Sequence, residues 1–523
     1  MQRARMAILL ATMLIASMIV GAGIAVAAAA TVTVIPDDTT ITVGDTTNAT
    51  ATLASSTSTS GTLTIALFSE NTCTTAVGAV TQDFPTTGDN TYGPLTTGYT
   101  TTAVGSVWWK ATYVGDGTDD SASTCVEVTV AQAAPTVTTT PSPTSVDPAP
   151  GDLSDTATLA GGYNATGTIT FKLFPPAEST CAANEVYSEG VTVSGDNDYS
   201  TTGTGTGDNT AALAGVWHWT ADYDGDTNNA AKSSLCADEA VPVYVDTTVI
   251  YAGQTFDSDG GGTSDLSANL SSIDPVCLSG DVTFTLTDAG GGTVGPFVVA
   301  NVSPSTSVST TQAIASGIYE VDVAFNPTND YCNPSSDFAV LSVVSPGDAA
   351  NGGGWYKNSD FTPPRINFGF TVQKHYNKKT DVTTYRGQLL WLNSHTWRLK
   401  GTIFSESPDP AAYGTFTCPA FVGSLGPPSS NPKCGSFTGT GVLQMFDEAA
   451  NGGLGGWVDS DYDTVTFTVT VYDGGTISVC KGKRNCTKQD LADWFGIQID
   501  PVPNTVVPES APIQIMKGSI KVS

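Results

Sequence analysis

A strand-length segment with a large apolar residue at every second position recurs 110 residues further along this chain, and no other feature constrains the fold as much. The first copy runs Gly105, Val107, Trp109, Ala111, Tyr113 into Gly115-Asp116, and the second runs Gly215, Trp217, Trp219, Ala221, Tyr223 into Gly225-Asp226. A weaker third copy follows 102 residues later as Gly317, Tyr319, Val321, Val323, Phe325. A period of two marks a strand with one buried face. A spacing near 105 residues is the size of one β-sandwich, whereas solenoid repeats recur every ~20–50 residues. Trp109, Trp217 and Trp219 therefore read as core rather than as a sugar-stacking platform. Trp108 has the opposite parity and points outward, with His218 as its counterpart.

Further landmarks repeat in the same order. GTLTIALF (61–68) parallels GTITFKLF (167–174), each followed by a polar stretch carrying Cys73 or Cys181. Ala49-Thr50-Ala51-Thr52-Leu53 precedes the first, and Asp155-Thr156-Ala157-Thr158-Leu159 the second. These landmarks divide the chain into domains at 31–131 and 136–245, joined by a short Ala/Pro linker, and a divergent third at 246–345. In the third, Cys277 lies before the equivalent strand GDVTFTL (280–286) rather than after it. Residues 346–354 read as a flexible Gly-rich linker, and 355–523 as a C-terminal all-β domain of about seven strands with a helical turn at Thr487–Trp494. The fold class is all-β: tandem sandwiches followed by a separate sandwich-like domain.

The Thr168-Ile169-Thr170-Phe171 strand and the late turns Tyr113-Val114-Gly115-Asp116 and Tyr223-Asp224-Gly225-Asp226 resemble the Ig-like domain repeats of secreted bacterial surface proteins. Gly352-Gly353-Gly354-Trp355, Asn367-Phe368-Gly369-Phe370, Arg386-Gly387-Gln388-Leu389 and Thr464–Val469 together resemble the post-COAP family of C-terminal domains in secreted bacterial proteins. Both resemblances imply an extracellular setting.

The first 30 residues carry Arg3 and Arg5, an apolar stretch from Met6 to Val20 and small-residue cleavage sites, the pattern of an export signal. The alternative is a retained N-terminal anchor. All ten cysteines follow it, and an even count in an exported chain reads as disulfides. Paired in order they are Cys73 with Cys125, Cys181 with Cys236, Cys277 with Cys332, Cys418 with Cys434 and Cys480 with Cys486, although sequence alone does not fix connectivity.

Charge is divided unevenly. Residues 31–345 hold 35 acidic residues against Lys110, Lys172 and Lys232, while 346–523 hold 15 of each sign. The repeats would repel phosphate, which argues against nucleic acid as a partner and suits a soluble stalk. In the last region, basic clusters at Lys374-His375-Tyr376-Asn377-Lys378-Lys379 and Lys481-Gly482-Lys483-Arg484 read as solvated hairpin tips or as contacts for an anionic polymer.

Asp222, Asp224 and Asp226 resemble the start of a calcium loop, but the twelfth position is Ser233, and Asp and Gly are what a tight turn selects. Asp257-Ser258-Asp259-Gly260 and Asp459–Asp463 read the same way. No nucleophile elbow, phosphate loop or His-Glu-x-x-His helix occurs, and no cofactor motif. The expectation is a non-catalytic, secreted or cell-surface structural and adhesive protein, an acidic stalk presenting the C-terminal domain to a surface or matrix component. The competing expectation is a glycan- or cell-wall-binding accessory module acting through the basic loops.

Overall fold

The computed structural model describes residues 29–58, 60–116, 119–258, 262–344, 350–359, 364–393, 396–407, 433–447, 456–460, 464–474, 476–480, 486–490, 493–500 and 510–522. Apart from two short 3-10 turns, Cys236–Asp238 and Pro275–Leu278, the regular structure among these residues is β.

The first domain packs a sheet of Thr31–Pro36, Ala49–Ala54 and Asn90–Tyr92 against a larger one ordered Thr40–Thr42, Val126–Ala131, Gly105–Gly115, Gly61–Phe68, Ala76–Thr86. Its repeat strand lies at the centre of the larger sheet, with Leu63 opposite Tyr113 and Leu67 opposite Trp109. Alternation does what it should: Trp109, Ala111 and Tyr113 are buried, and Lys110 and Thr112 are not. The second domain repeats this plan, with Phe171 opposite Ala221 and Leu173 opposite Trp219, and Trp217 and Trp219 inside the core. Trp108 and His218 are half-buried on the other face, where His218 Nδ1 lies 3.0 Å from the Cys236 carbonyl oxygen.

In the third domain, a sheet of Ser307–Ala313, Thr263–Ser272, Val245–Tyr251 and Cys332–Asn333 faces one ordered Phe256–Asp257, Ser335–Val343, Gly317–Pro327, Gly280–Asp288, Thr293–Val302. Tyr319, Val321, Val323 and Phe325 fill the core between them. Here alternation breaks down. Ile318 and Glu320 are buried as well, and every residue from Asp337 to Val343 is buried. A strand buried on both faces has a layer on each side, and the second layer is the C-terminal region.

That region is one long antiparallel sheet ordered Ser510–Gln514, Trp494–Asp500, Val465–Asp473, Lys433–Asp447, Trp397–Ser407, Val382–Asn393, Arg365–Asn377, Ala350–Lys357, Lys517–Val522. It rolls over onto itself, Val465–Asp473 touching Lys517–Val522 at the far end, and encloses a core that includes Tyr356, Phe368, Phe370, Trp391, Phe467 and Phe495.

Two expectations fail here. Residues 350–354, read as linker, are a strand paired on both sides, with Gly354 opposite Phe368 and Gly518. The glycines serve close packing: a Cβ on Gly352 would lie 2.6 Å from the Phe370 ring, and one on Gly354 would run into the Lys517 carbonyl. The helical turn at 487–494 is also absent where described, since Cys486–Asp490 pairs as a strand with Thr476–Cys480.

Candidate functional site

Three cystines staple the sandwiches: Cys73–Cys125, Cys181–Cys236 and Cys277–Cys332, with Cα separations of 6.2, 5.8 and 5.5 Å. Cys73 and Cys181 occupy the same turn, each at positive φ with its N–H donated to the carbonyl of Glu70 or Glu178. Of the other four, Cys418 lies outside the described residues. Cys434, Cys480 and Cys486 are placed by backbone alone, with Cys480 opposite Cys486 in register. Residues 1–28, most of the expected export signal at 1–30, and the basic residues Lys481, Lys483 and Arg484 also lie outside them.

The three aspartates of the calcium-like turn are occupied separately. Asp222 pairs with Lys172 at 2.9 Å, and Asp224 accepts the Thr168 N–H at 2.8 Å. Asp226 accepts from the N–H groups of Thr166, Asn228 and Asn229 at 2.7, 2.7 and 2.9 Å and from Asn229 Nδ2 at 2.9 Å. Burial opposes its ionisation, but these donated hydrogen bonds prevail and hold its pKa down to about 2. Asp257 accepts from Ser264 Oγ, and Asp459 from Gln444 Nε2.

The loop that Asp226 organises is the junction between the first two domains. Ala133 donates its N–H to Asn228 O at 2.9 Å and accepts from Ala230 N–H at 2.8 Å, forming a parallel bridge with Asn229. Gln132 Nε2 donates to Asp226 O at 2.9 Å. The linker is thus held as an added strand. At the next junction the contacts are side chain to backbone and side chain to side chain: Ala214 N–H of the second domain donates to buried Asp274 at 2.8 Å, and Asn333 Nδ2 of the third reaches Asp147 of the second at 2.9 Å and Asp246 at 2.8 Å. Sequence reading took the first segment, Ala131–Pro135, as a spacer because backbone pairing between domains leaves no side-chain pattern.

The largest junction joins the third domain to the C-terminal sheet. Ile318, Phe338, Val340, Leu390 and Leu392 form one buried cluster across it, and Phe338 meets Phe446 and Trp457 with ring centroids 5.7 and 5.5 Å apart. Gly369 permits the approach, because a Cβ there would stand 2.6 Å from Val340. Polar groups are paired across it too. Arg398 Nη1 lies 2.7 Å from both Glu320 carboxylate oxygens, with Lys400 at 3.4 Å. Arg365 donates to Tyr251 O at 3.1 Å. Asp322 is an exception. Its Oδ1 is buried and unpartnered, and burial reinforced by Glu320 and Asp337 lifts its pKa to about 6. The apolar run Phe338–Val344 was the missed sequence signal, since a one-faced strand would have alternated.

Beyond this junction the strands Arg365–Asn377 and Val382–Asn393 continue as a hairpin carrying the remaining basic candidates. Lys374 is on its exposed strand, not in a loop, and Lys378 and Lys379 are at the exposed turn. At the hairpin's base the sheet and the edge of the third domain enclose a cleft of about 380 Å³ lined by Ser316, Gly317, Val343, Thr371, Gln373, Arg386, Gly387, Gln388 and Thr402. Among the described residues no three His, Cys, Asp or Glu side chains gather as a metal site, and no helix is long and apolar enough to cross a membrane.

No protein-family model and no curated protein matches the chain, so neither the Ig-like nor the post-COAP resemblance has a family counterpart. A solved structure similar to it is the crystal structure of a tetra-tandem repeat in the extending region of a large adhesion protein. The two are 17% identical at a TM-score of 0.32, over 90% of this chain and 99% of that one.

Proposed function

We propose that this chain is a non-catalytic extracellular spacer and adhesion protein, in which an acidic series of Ig-like sandwiches holds the C-terminal sheet away from its point of origin. The observation that carries this reading is the construction of the junctions. Each domain is tied directly to the next, by paired backbone at Ala133–Asn229, by the hydrogen bonds of Ala214 to Asp274 and of Asn333 to Asp147, and at the last junction by a buried sheet-on-sheet contact. Beads on flexible linkers would need none of these. The disulfides favour an oxidising, extracellular setting. The surplus of carboxylates on the repeats keeps neighbouring copies apart. Small-angle scattering tests it: a compact globule of this length has a radius of gyration of about 24 Å. A rigid serial array gives a much larger value that stays constant with ionic strength. A radius that shrinks as salt screens the repeats would mark loose beads and end this reading.

A further inference from the structure

We propose that the cleft where the C-terminal sheet emerges from beneath the third domain binds an acidic polysaccharide through its uronate-type sugars. This deepens the adhesive reading and takes its extracellular setting from it. On one face of strands Arg365–Asn377, Val382–Asn393 and Trp397–Ser407, residues Asn367, Gly369, Leu390, Leu392 and Arg398 are covered by the third domain. Two to four residues further along, the same face opens. Thr371 stands opposite Gln388 and Gln388 opposite Thr402, while Gln373 stands opposite Arg386. Gln373, Arg386, Gln388 and Thr402 are exposed there, and Ser316 and Gly317 of the third domain form the opposite wall.

The chemistry of that lining selects a ligand class. Two primary amides and several hydroxyls both donate and accept, which matches the hydroxyls of a sugar. The guanidinium matches a planar carboxylate in a way an ammonium does not. The lining residues offer no aromatic face and no carboxylate, so neither a neutral sugar held by stacking nor a cation is favoured. A cleft of about 380 Å³ at a domain junction is at the lower end of the usual range of ~300–1,000 Å³. Above it, His375 shares the face of Gln373, and exposed Lys374, Lys378 and Lys379 add positive charge along the hairpin, with Asp381 at its turn engaged by Tyr376 Oη at 2.7 Å. A long anionic chain seated in the cleft would run along that hairpin.

The test is calorimetric titration of the full chain with hexagalacturonate, with neutral cellohexaose as comparator. Saturable binding of the acidic hexamer is expected, weakened roughly ten- to hundredfold by Arg386→Ala and comparably by Arg386→Lys. Gln373→Glu, which keeps size and adds a repelling carboxylate, should abolish it. These side chains are exposed, so an unchanged melting temperature separates lost binding from lost fold. Absence of saturable binding, equal binding of cellohexaose, or binding lost only on changing Lys378 and Lys379 while Arg386→Ala retains it would each overturn the proposal. None of these outcomes alters the scattering profile, so the spacer reading stands or falls separately.

Discussion

Arg398 holds Glu320 across the junction of the third domain and the C-terminal sheet, its Nη1 2.7 Å from both carboxylate oxygens while the guanidinium lies 4.6 Å from the Trp457 ring centroid. Gln444 Oε1 accepts from the same guanidinium at 3.0 and 2.6 Å, so the pair sits in a satisfied network. Both side chains are about nine-tenths buried. Removing one member of such a pair strands the other, at a cost of about 3–5 kcal/mol.

Arg398→Met should therefore lower the stability of the joined unit by about 3 kcal/mol, somewhat softened because Lys400 still faces Glu320. Urea unfolding followed by tryptophan fluorescence measures this. Arg398→Met combined with Glu320→Gln should recover part of the loss. A single variant within about 0.5 kcal/mol of the parent would show that the junction is not coupled.

The second domain buries Asp155 and Glu239 near one another, where the first has Ala49 in place of Asp155. Asp155 Oδ2 and Glu239 Oε2 have no donor, and burial followed by the charge of Glu239 raises the Asp155 pKa to about 7. Glu239 is raised by burial as well, and by Asp238. Both groups favour the protonated form in the fold. The stability they lend is complete below their unfolded values near pH 4 and is lost as pH rises toward about 7. Asp155→Asn should flatten that fall and raise stability at pH 8 by up to about 4 kcal/mol. Thermal unfolding of the parent and variant from pH 4 to 8 gives the comparison. A parent melting point that rises over this range would contradict the sign.

Asp226 is the acceptor at the centre of the first junction. Asp226→Ala leaves the N–H groups of Thr166, Asn228 and Asn229 without their acceptor and should cost about 1–3 kcal/mol in the second domain. It should also loosen the first domain, seen as a broader interdomain distance distribution between spin labels. If the carboxylate instead served calcium, chelator would lower the parent's melting temperature; no change is expected.

Cys181–Cys236 closes a loop of 55 residues. Replacing both with serine should release about 4 kcal/mol of loop-closure restraint into the unfolded chain. The variant should still fold in the same register, since the Phe171, Trp219 and Tyr223 core is untouched. Differential scanning calorimetry reads the shift.

The repeat segment, met as a pattern of alternate large residues, determined a great deal by itself. Trp109 and Trp219 had to be core because only one face of each strand was apolar, and a strand with one apolar face must cover it with a second sheet. Class, domain spacing and the two-sheet plan follow from that periodicity. What tertiary structure decided is what lies between the domains. Gly352–Gly354 has the composition of a linker, yet its neighbours Phe370, Ile520 and Lys517 approach so closely that only glycine fits a strand there. Asp226 has the spacing of a calcium ligand, yet the backbone N–H groups that surround it come from segments 60 residues apart and brought together only by folding. Thr371, Gln373, Arg386 and Thr402 look like ordinary polar strand residues until the third domain covers half their sheet and leaves them at the mouth of a cleft. Periodicity is local and is written in the chain. Junctions depend on which faces meet, and that is settled by packing between residues far apart in sequence.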